Sequence, residues 1–322
     1  MGIIVVALVL GVVGWRLVQA QRFDQRLASD GEAARQVVQT YYTALRDGDA
    51  KAALATAAIR PEETSLLTDE VLRSAQEAGG IQNLSVGEAA LANDNGARIV
   101  GDAGTVAVTY AVGSTPVRID LPVTRDGGTW RISAATSRVD LGGKGVSRTV
   151  NGHQAGADVV ELFPGTYTVG AASKLVTLGH PQLLVTAPDP LGAAAQTWGG
   201  GDATLSTDSR DAVLGAARAS LTSCLAQRSL APEGCPISIE TGSEIQIDES
   251  TIRYQLVNDP WSKTEVQLAS DGRATGTIDV EYRIEASAKS KGVEGVVRQT
   301  YTQSAVTFNA DLSGDKPVIS WQ

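Results

Sequence analysis

Histidine, cysteine and aromatic side chains are scarce in this chain, and each shortage removes a class of chemistry. Among 322 residues there are two His, two Cys and one Met, with 5% aromatics. His153 follows Asn151-Gly152, and His180 sits in Gly179-His180-Pro181; both read as exposed loop residues. Without a placed imidazole, a Ser or Cys nucleophile has no general base. Two Cys and two distant His are too few for a zinc site, so neither metal nor cofactor is expected. Positive charge is also lacking. The net charge of −9 excludes the basic surface that non-specific nucleic-acid binding needs. Gly199-Gly200-Gly201 has no following Lys-Ser/Thr, so it reads as a linker or tight turn rather than a phosphate loop. Asp311-Leu312-Ser313-Gly314-Asp315 lacks the spacing and closing Glu of a calcium loop and reads as a turn. Asp208, Arg210 and Asp211 fit a helix N-terminus, where acidic residues are favoured anyway.

Long apolar runs are absent too, with one exception. Gly2 to Trp15 carries no charge, Pro or polar side chain. As a helix it covers roughly 21 Å, short of a ~30 Å hydrocarbon core, unless Arg16 snorkels and Leu17, Val18 and Ala20 extend it. Residues 1–20 are therefore expected to be a membrane anchor or signal segment. Three readings stay open: an anchor whose basic N-terminal flank lies upstream of Met1, a signal peptide cleaved near Val18-Gln19-Ala20, and a short anchor with the body inside. Arg16, Arg22 and Arg26 follow the segment and no basic residue precedes it, so the positive-inside rule places the body in the cytoplasm. The cysteines point the other way. A helix ending near Ser229, then Pro232 and Gly234, folds back and brings Cys224 to Cys235; the alternative is two unrelated buried thiols. Closing this loop stabilises by roughly 3 kcal/mol and implies an oxidising compartment. The cysteines carry more weight, and the expected location is a single-pass plasma-membrane protein with its body extracytoplasmic.

Beyond the apolar run the chain reads as α+β. Residues 29–137 form a first domain. Ser29-Asp30-Gly31-Glu32 resembles a capping box. Ala34, Val37, Val38, Tyr41 and Leu45 then recur at helical spacing up to Gly48. Shorter helices are expected over Ala50–Ala58, capped by Asp49, and Thr68–Ala78. After Ile81 the period becomes two, with strands over Ala97–Val100, Thr105–Val112, Val117–Thr124 and Thr129–Ala134. Residues 139–192 form a small β module. Arg148–Val150, Asn151-Gly152 and Asp158–Leu162 suggest a hairpin, followed by strands after Phe163-Pro164-Gly165 and over Val176–Leu178 and Leu183–Thr186. Residues 203–322 form a second α+β domain. Its helix, Ser209–Gln227, carries Val213, Leu214, Ala217, Leu221 and Leu225 on one face. Its strands span Ile237–Ile239, Glu244–Ile247, Ile252–Val257, Thr264–Leu268, Thr275–Ile284, Val296–Phe308 and Val318–Trp321. Ile319-Ser320-Trp321 mirrors Trp130-Arg131-Ile132-Ser133, so this domain is expected to repeat the first.

The opening helix with Tyr41-Tyr42, the Gly48-Asp49 break and the closing Asp126-Gly127-Gly128-Thr129-Trp130-Arg131-Ile132 resemble the nuclear transport factor 2-like (cone-shaped α+β) superfamily in its bacterial envelope branch. The resemblance implies a curved sheet wrapped round the long helix, with Tyr41, Tyr42 and Trp130 either lining a pocket or packing as core. Val150-Asn151-Gly152 and Leu162-Phe163-Pro164-Gly165-Thr166-Tyr167 resemble the small β-sandwich modules of TcaA-like membrane-anchored envelope proteins. That resemblance implies β-rich modules outside one membrane span, although this chain has no zinc ribbon before it.

Two classes of function follow. The first is a non-enzymatic membrane-anchored envelope protein whose modules bind a cell-wall component or another envelope protein, or serve as a single-span scaffold in a secretion or conjugation machine. The second is a small hydrolase or isomerase using a buried carboxylate in a cone pocket. Glu88, Asp102 and Asp120 all fall where turns or outward faces are expected, so no carboxylate is assigned and no catalytic residue is named.

Overall fold

A computed structural model describes residues 2–322 except 95–98, 143–144 and 190–193, with side chains described from residue 18 onward, that of residue 94 excepted. The architecture is mixed α+β, with an N-terminal helix followed by sheet-rich parts. The chain divides into two compact units. Unit one comprises Met1–Gly142, Arg148–Gly170 and Pro181–Gly200; unit two comprises Gly143–Ser147, Ala171–His180 and Gly201–Gln322. The span 139–192, expected as a module by itself, is thus shared between them.

Helix α1 (Gly2–Asp47) is continuous over 46 residues, about 69 Å at 1.5 Å per residue. No helix begins at Ser29, contrary to the capping-box expectation. The reason is local: the Ser29 hydroxyl donates back to Arg26 O at 3.0 Å, as a mid-helix Ser does. Glu32 accepts from Arg35 rather than reaching the Ser29 backbone. The helix ends as expected at Gly48 (φ +70). Gly48 N–H donates to Leu45 O at 3.2 Å and Asp49 N–H to Ala44 O at 2.9 Å, the paired bonds of a Schellman cap. Asp49 then caps α2 (Ala50–Ala55) by accepting from Ala52 N–H. Thr68 caps α3 (Asp69–Gly79) by accepting from Val71 N–H.

Strands β1 (Ile81–Asp94), β2 (Ile99–Val112), β3 (Thr115–Asp126) and β4 (Thr129–Ile132) form an antiparallel meander in chain order. Gly127 (φ +56) and Gly128 (φ +86) make the β3–β4 turn, whose backbone only glycine adopts freely. The sequence pattern predicts no strand over 81–94, because β1 shifts register against β2 in three places, and each shift resets the alternation. Ala97, expected in a strand, lies outside the described residues. The core of unit one forms where Ala34, Val38, Tyr41, Tyr42 and Leu45 of α1 meet Val106, Val108, Leu121, Val123 and Ile132 of the sheet.

The following strands are short: β5 (Ser137–Asp140), β6 (Arg148–Val150), β7 (His153–Gln154), β8 (Val159–Leu162), β9 (Gly165–Ala171), β10 (Val176–Leu178), β11 (Gln182–Val185), β12 (Gln196–Thr197) and β13 (Ala203–Leu205). Asn151-Gly152 joins β6 to β7, so the Asn-Gly hairpin forms. Its second strand is β7, whereas β8 pairs with β5 instead.

Helix α4 (Thr207–Ala226) is capped by Ser206, which accepts from Ser209 N–H at 3.1 Å. Val213, Ala217, Leu221 and Cys224 are buried along it. The remaining strands are β14 (Ile245–Ile247), β15 (Arg253–Leu256), β16 (Val266–Leu268), β17 (Ala274–Ser290), β18 (Val293–Asp311) and β19 (Val318–Trp321). This sheet is no copy of the β1–β4 meander. The long β17 pairs with β14, β15 and β16 on one side and β18 on the other. Ile237–Ile239 is not a strand; both isoleucines are buried, and Ile239 N–H donates to Leu230 O, on the far side of Cys235.

Candidate functional site

Tyr41, Tyr42 and Trp130 come together in unit one and are all buried, the tyrosines completely. The rings of Tyr41 and Tyr42 lie 4.9 Å apart edge to face, and Tyr42 lies 4.9 Å from Tyr110. The structure thus places the three aromatics in the packed core between α1 and the sheet. Tyr41 Oη donates to Ala135 O at 2.7 Å, and Tyr110 Oη to Thr186 O at 2.6 Å. Trp130 Nε1 is buried without a partner among the described residues, and Tyr42 Oη has only the nearby Tyr110 hydroxyl, outside good hydrogen-bond geometry. Burial pushes the phenol of Tyr41 well up, raises that of Tyr42, and takes that of Tyr110 to about 12. These hydroxyls stay protonated at physiological pH and act as packing groups with polar ends. At the rim, Arg125 lies 5.0 Å from the Trp130 ring centroid and pairs with Asp30.

The remaining expected residues scatter. His153 is half-buried in β7, its Nε2 3.7 Å from Glu70 Oε1. His180 is exposed in unit two. Glu88, Asp102 and Asp120 are not buried. Among the described residues no group of three or more His, Cys, Asp or Glu is arranged to hold a metal ion. Cys224 and Cys235 are bonded to each other, with Cα atoms 5.6 Å apart. The bond ties the last turn of α4 to the loop that follows it.

Two features were not legible in the sequence. Arg148 of β6 is buried; among the described residues its Nε and Nη1 have no partner, and Nη2 donates to Gly142 O at 3.2 Å. Its guanidinium lies 5.9 Å from the Trp198 ring, and desolvation lowers its pKa. A lone Arg in a β-rich stretch gives no signal of burial. The second is an open groove of about 660 Å³ in unit two, lined by residues of β14, β17 and β18 together with Asp248; Ser287, Lys289 and Glu294 are among them. It depends on which strands meet at that end of the sheet, and pattern alone does not assign partners to β14.

Among the described residues no helix is long and apolar enough to cross a membrane. The side chains of residues 2–15, on which the membrane expectation rests, lie outside the described set. No model of a known protein family matches the chain. No curated protein sequence matches it either.

Proposed function

We propose that the chain is a single-pass, membrane-anchored cell-envelope protein whose two units are binding or scaffolding modules held outside the membrane, without catalytic turnover. The observation that carries this reading is the Cys224–Cys235 bond, because a structural disulfide persists in an oxidising compartment. It is supported by the continuity of α1, which runs without a break from the apolar Gly2–Trp15 segment to Asp47. An anchor joined to a module by one helix transmits position and orientation, which a flexible linker does not. The nuclear transport factor 2-like reading of residues 29–137 is part of the proposal. It draws support from a long helix packed on a four-stranded antiparallel sheet, with two short helices between them. The TcaA-like reading of the chain stands on the sequence motifs alone. The partner is a cell-wall component or another envelope protein, met through surfaces rather than a nucleophile.

Reporter fusions after Gln322 test the topology. An exterior-active reporter is expected to work and a cytoplasm-active one to stay silent; the reverse pattern overturns the envelope reading. Intact mass after alkylation, with and without reductant, provides a second check. Free thiols at Cys224 and Cys235 in natively purified protein would remove its main support.

A further inference from the structure

The long ribbon of unit two leaves one sheet edge open. Strand β18 pairs with β17 from Val293 to Ala310, interrupted by one bulge, but β19 covers only Phe308–Asp311, with Gln322 N–H bonded to Thr307 O just before it. Among the described residues no strand pairs the outer edge of β18 from Val293 to Val306. Proteins normally guard such an edge with Lys, Pro, a bulge or a covering element. Here the bulge comes late: Ala305 has φ +55 and turns its N–H to Asp279 Oδ1 at 2.8 Å. Below it, Val293–Gln303 has no Pro or Lys and only two charges, Glu294 and Arg298. Three apolar side chains at this end are exposed: Val293 at 72%, Val296 at 60% and Ile245 at 40%.

The direction of the free backbone groups follows from the ladder. Val257 N–H donates to Glu281 O and Asp248 N–H to Ser287 O, so odd-numbered residues in this part of β17 face away from β18 and even-numbered ones face it. Their partners Gly295, Val297, Gln299, Tyr301 and Gln303 therefore bond to β17. The N–H and C=O groups of Glu294, Val296, Arg298, Thr300 and Thr302 point out from the open edge.

We propose that this edge pairs with the same edge of a second copy of the chain, antiparallel, about a two-fold axis through Val296. Charge complementarity selects the register. On the outer face Arg253 sits opposite Glu285, and Glu285 opposite Arg298 at 3.0 Å; further along, Lys289 sits opposite Glu294. With the axis at Val296, Arg298 of one copy meets Glu294 of the other. The row across both sheets then reads Arg253, Glu285, Arg298, then Glu294 and Lys289 of the second copy, alternating in sign throughout. The two-fold repeats that row in reverse. Between the rows the two exposed Val296 side chains meet, and on the opposite face Val297 of each copy lies across from Gly295 of the other. Register alternatives lose this match. An axis at Arg298 sets Arg against Arg, one at Glu294 sets Glu against Glu, and one at Thr300 leaves both charges unmatched and brings the Ala305 bulge into the ladder. Opposite charges directly across a strand pair stabilise it and like charges destabilise it. The contact is isologous, so it closes as a dimer rather than growing into a fibre.

The test is a charge swap between copies of the detergent-solubilised full chain, read as particle mass by analytical ultracentrifugation. Wild type is expected to be a dimer. Glu294→Arg and Arg298→Glu alone should each lose the dimer, because each sets like charges opposite one another twice. An equimolar mixture of the two variants should regain it as a heterodimer, since both contacts across the seam are then of opposite sign; the like-charge neighbours each substitution creates within its own sheet, at Glu285 or Lys289, are present in the lone variants and the mixture alike. A second measurement does not depend on charge. Val296→Cys places two thiols across a bonded pair with Cα atoms about 5.5 Å apart, within disulfide reach. It should cross-link between copies on mild oxidation, whereas Thr302→Cys should not. Wild-type monomer, single variants that keep the wild-type mass, a mixture that stays monomeric, or equal cross-linking at 296 and 302 would each overturn the proposal.

Discussion

Two neighbouring tyrosines in the core of unit one face opposite hydrogen-bonding situations. Tyr41 Oη donates to Ala135 O, whereas Tyr42 Oη finds no carbonyl and interacts only loosely with the Tyr110 hydroxyl. Removing the first hydroxyl leaves a buried carbonyl unsatisfied, so Tyr41→Phe should destabilise by about 1–3 kcal/mol. Removing the second deletes a hydroxyl whose interaction is with the Tyr110 hydroxyl, which keeps its own bond to Thr186 O, so Tyr42→Phe should cost less than Tyr41→Phe. Urea unfolding of both variants beside wild type measures the contrast; equal losses would contradict the assignment. The helical spacing makes the burial of Tyr41 legible in the sequence, with Tyr42 beside it as core or pocket wall. Which hydroxyl finds a carbonyl was not, because Ala135 lies 94 residues further along the chain.

At the scale of elements, α1 is the main departure from local expectation. Ser29-Asp30-Gly31-Glu32 carries the residue types of a helix start, yet the helix passes through it. Ser29 and Glu32 find partners inside the helix, and Asp30 finds Arg125. Gly31 is then a glycine in a helix interior, and a methyl group added there would meet only Ala89 Cβ, at 4.0 Å. Gly31→Ala should therefore stabilise the protein by about 0.5–1 kcal/mol through backbone entropy. Thermal unfolding measures this, and a destabilised variant would mean that the helix is broken at Ser29 in solution. Strand β1 fails in the other direction. Its bulges hide a long strand from any period-two reading, and only pairing with β2 defines it.

Over the whole molecule, the buried phenols set an upper limit on pH. Burial pushes the Tyr110 phenol up from its ordinary 10.0 to about 12, and raises Tyr41, Tyr42 and Tyr167 as well. Between the unfolded and folded values the unfolded chain has released protons that the native state retains. Stability therefore falls as pH rises through that window, and is fully present below about pH 10. Phenolate absorbance and circular dichroism followed together on titration to high pH should show these tyrosines ionising with loss of structure. Smooth ionisation of every tyrosine in a folded chain would show that they are exposed.

The helical stripes, the helix break at Gly48, the Asn151-Gly152 hairpin, the final strand Val318–Trp321 and the proximity of Cys224 and Cys235 were all legible from residue order. Each is a local matter, settled by backbone preference, period or a short loop. Tertiary structure alone decided that β8 joins β5, that β17 gathers three short strands on one side, and that residues 139–192 divide between two units. It also decided that, among the described residues, no strand covers the edge of β18 from Val293 to Val306. Strand partnership depends on contacts between residues far apart in the chain, and a period-two pattern says which face a side chain takes but not which strand lies beside it.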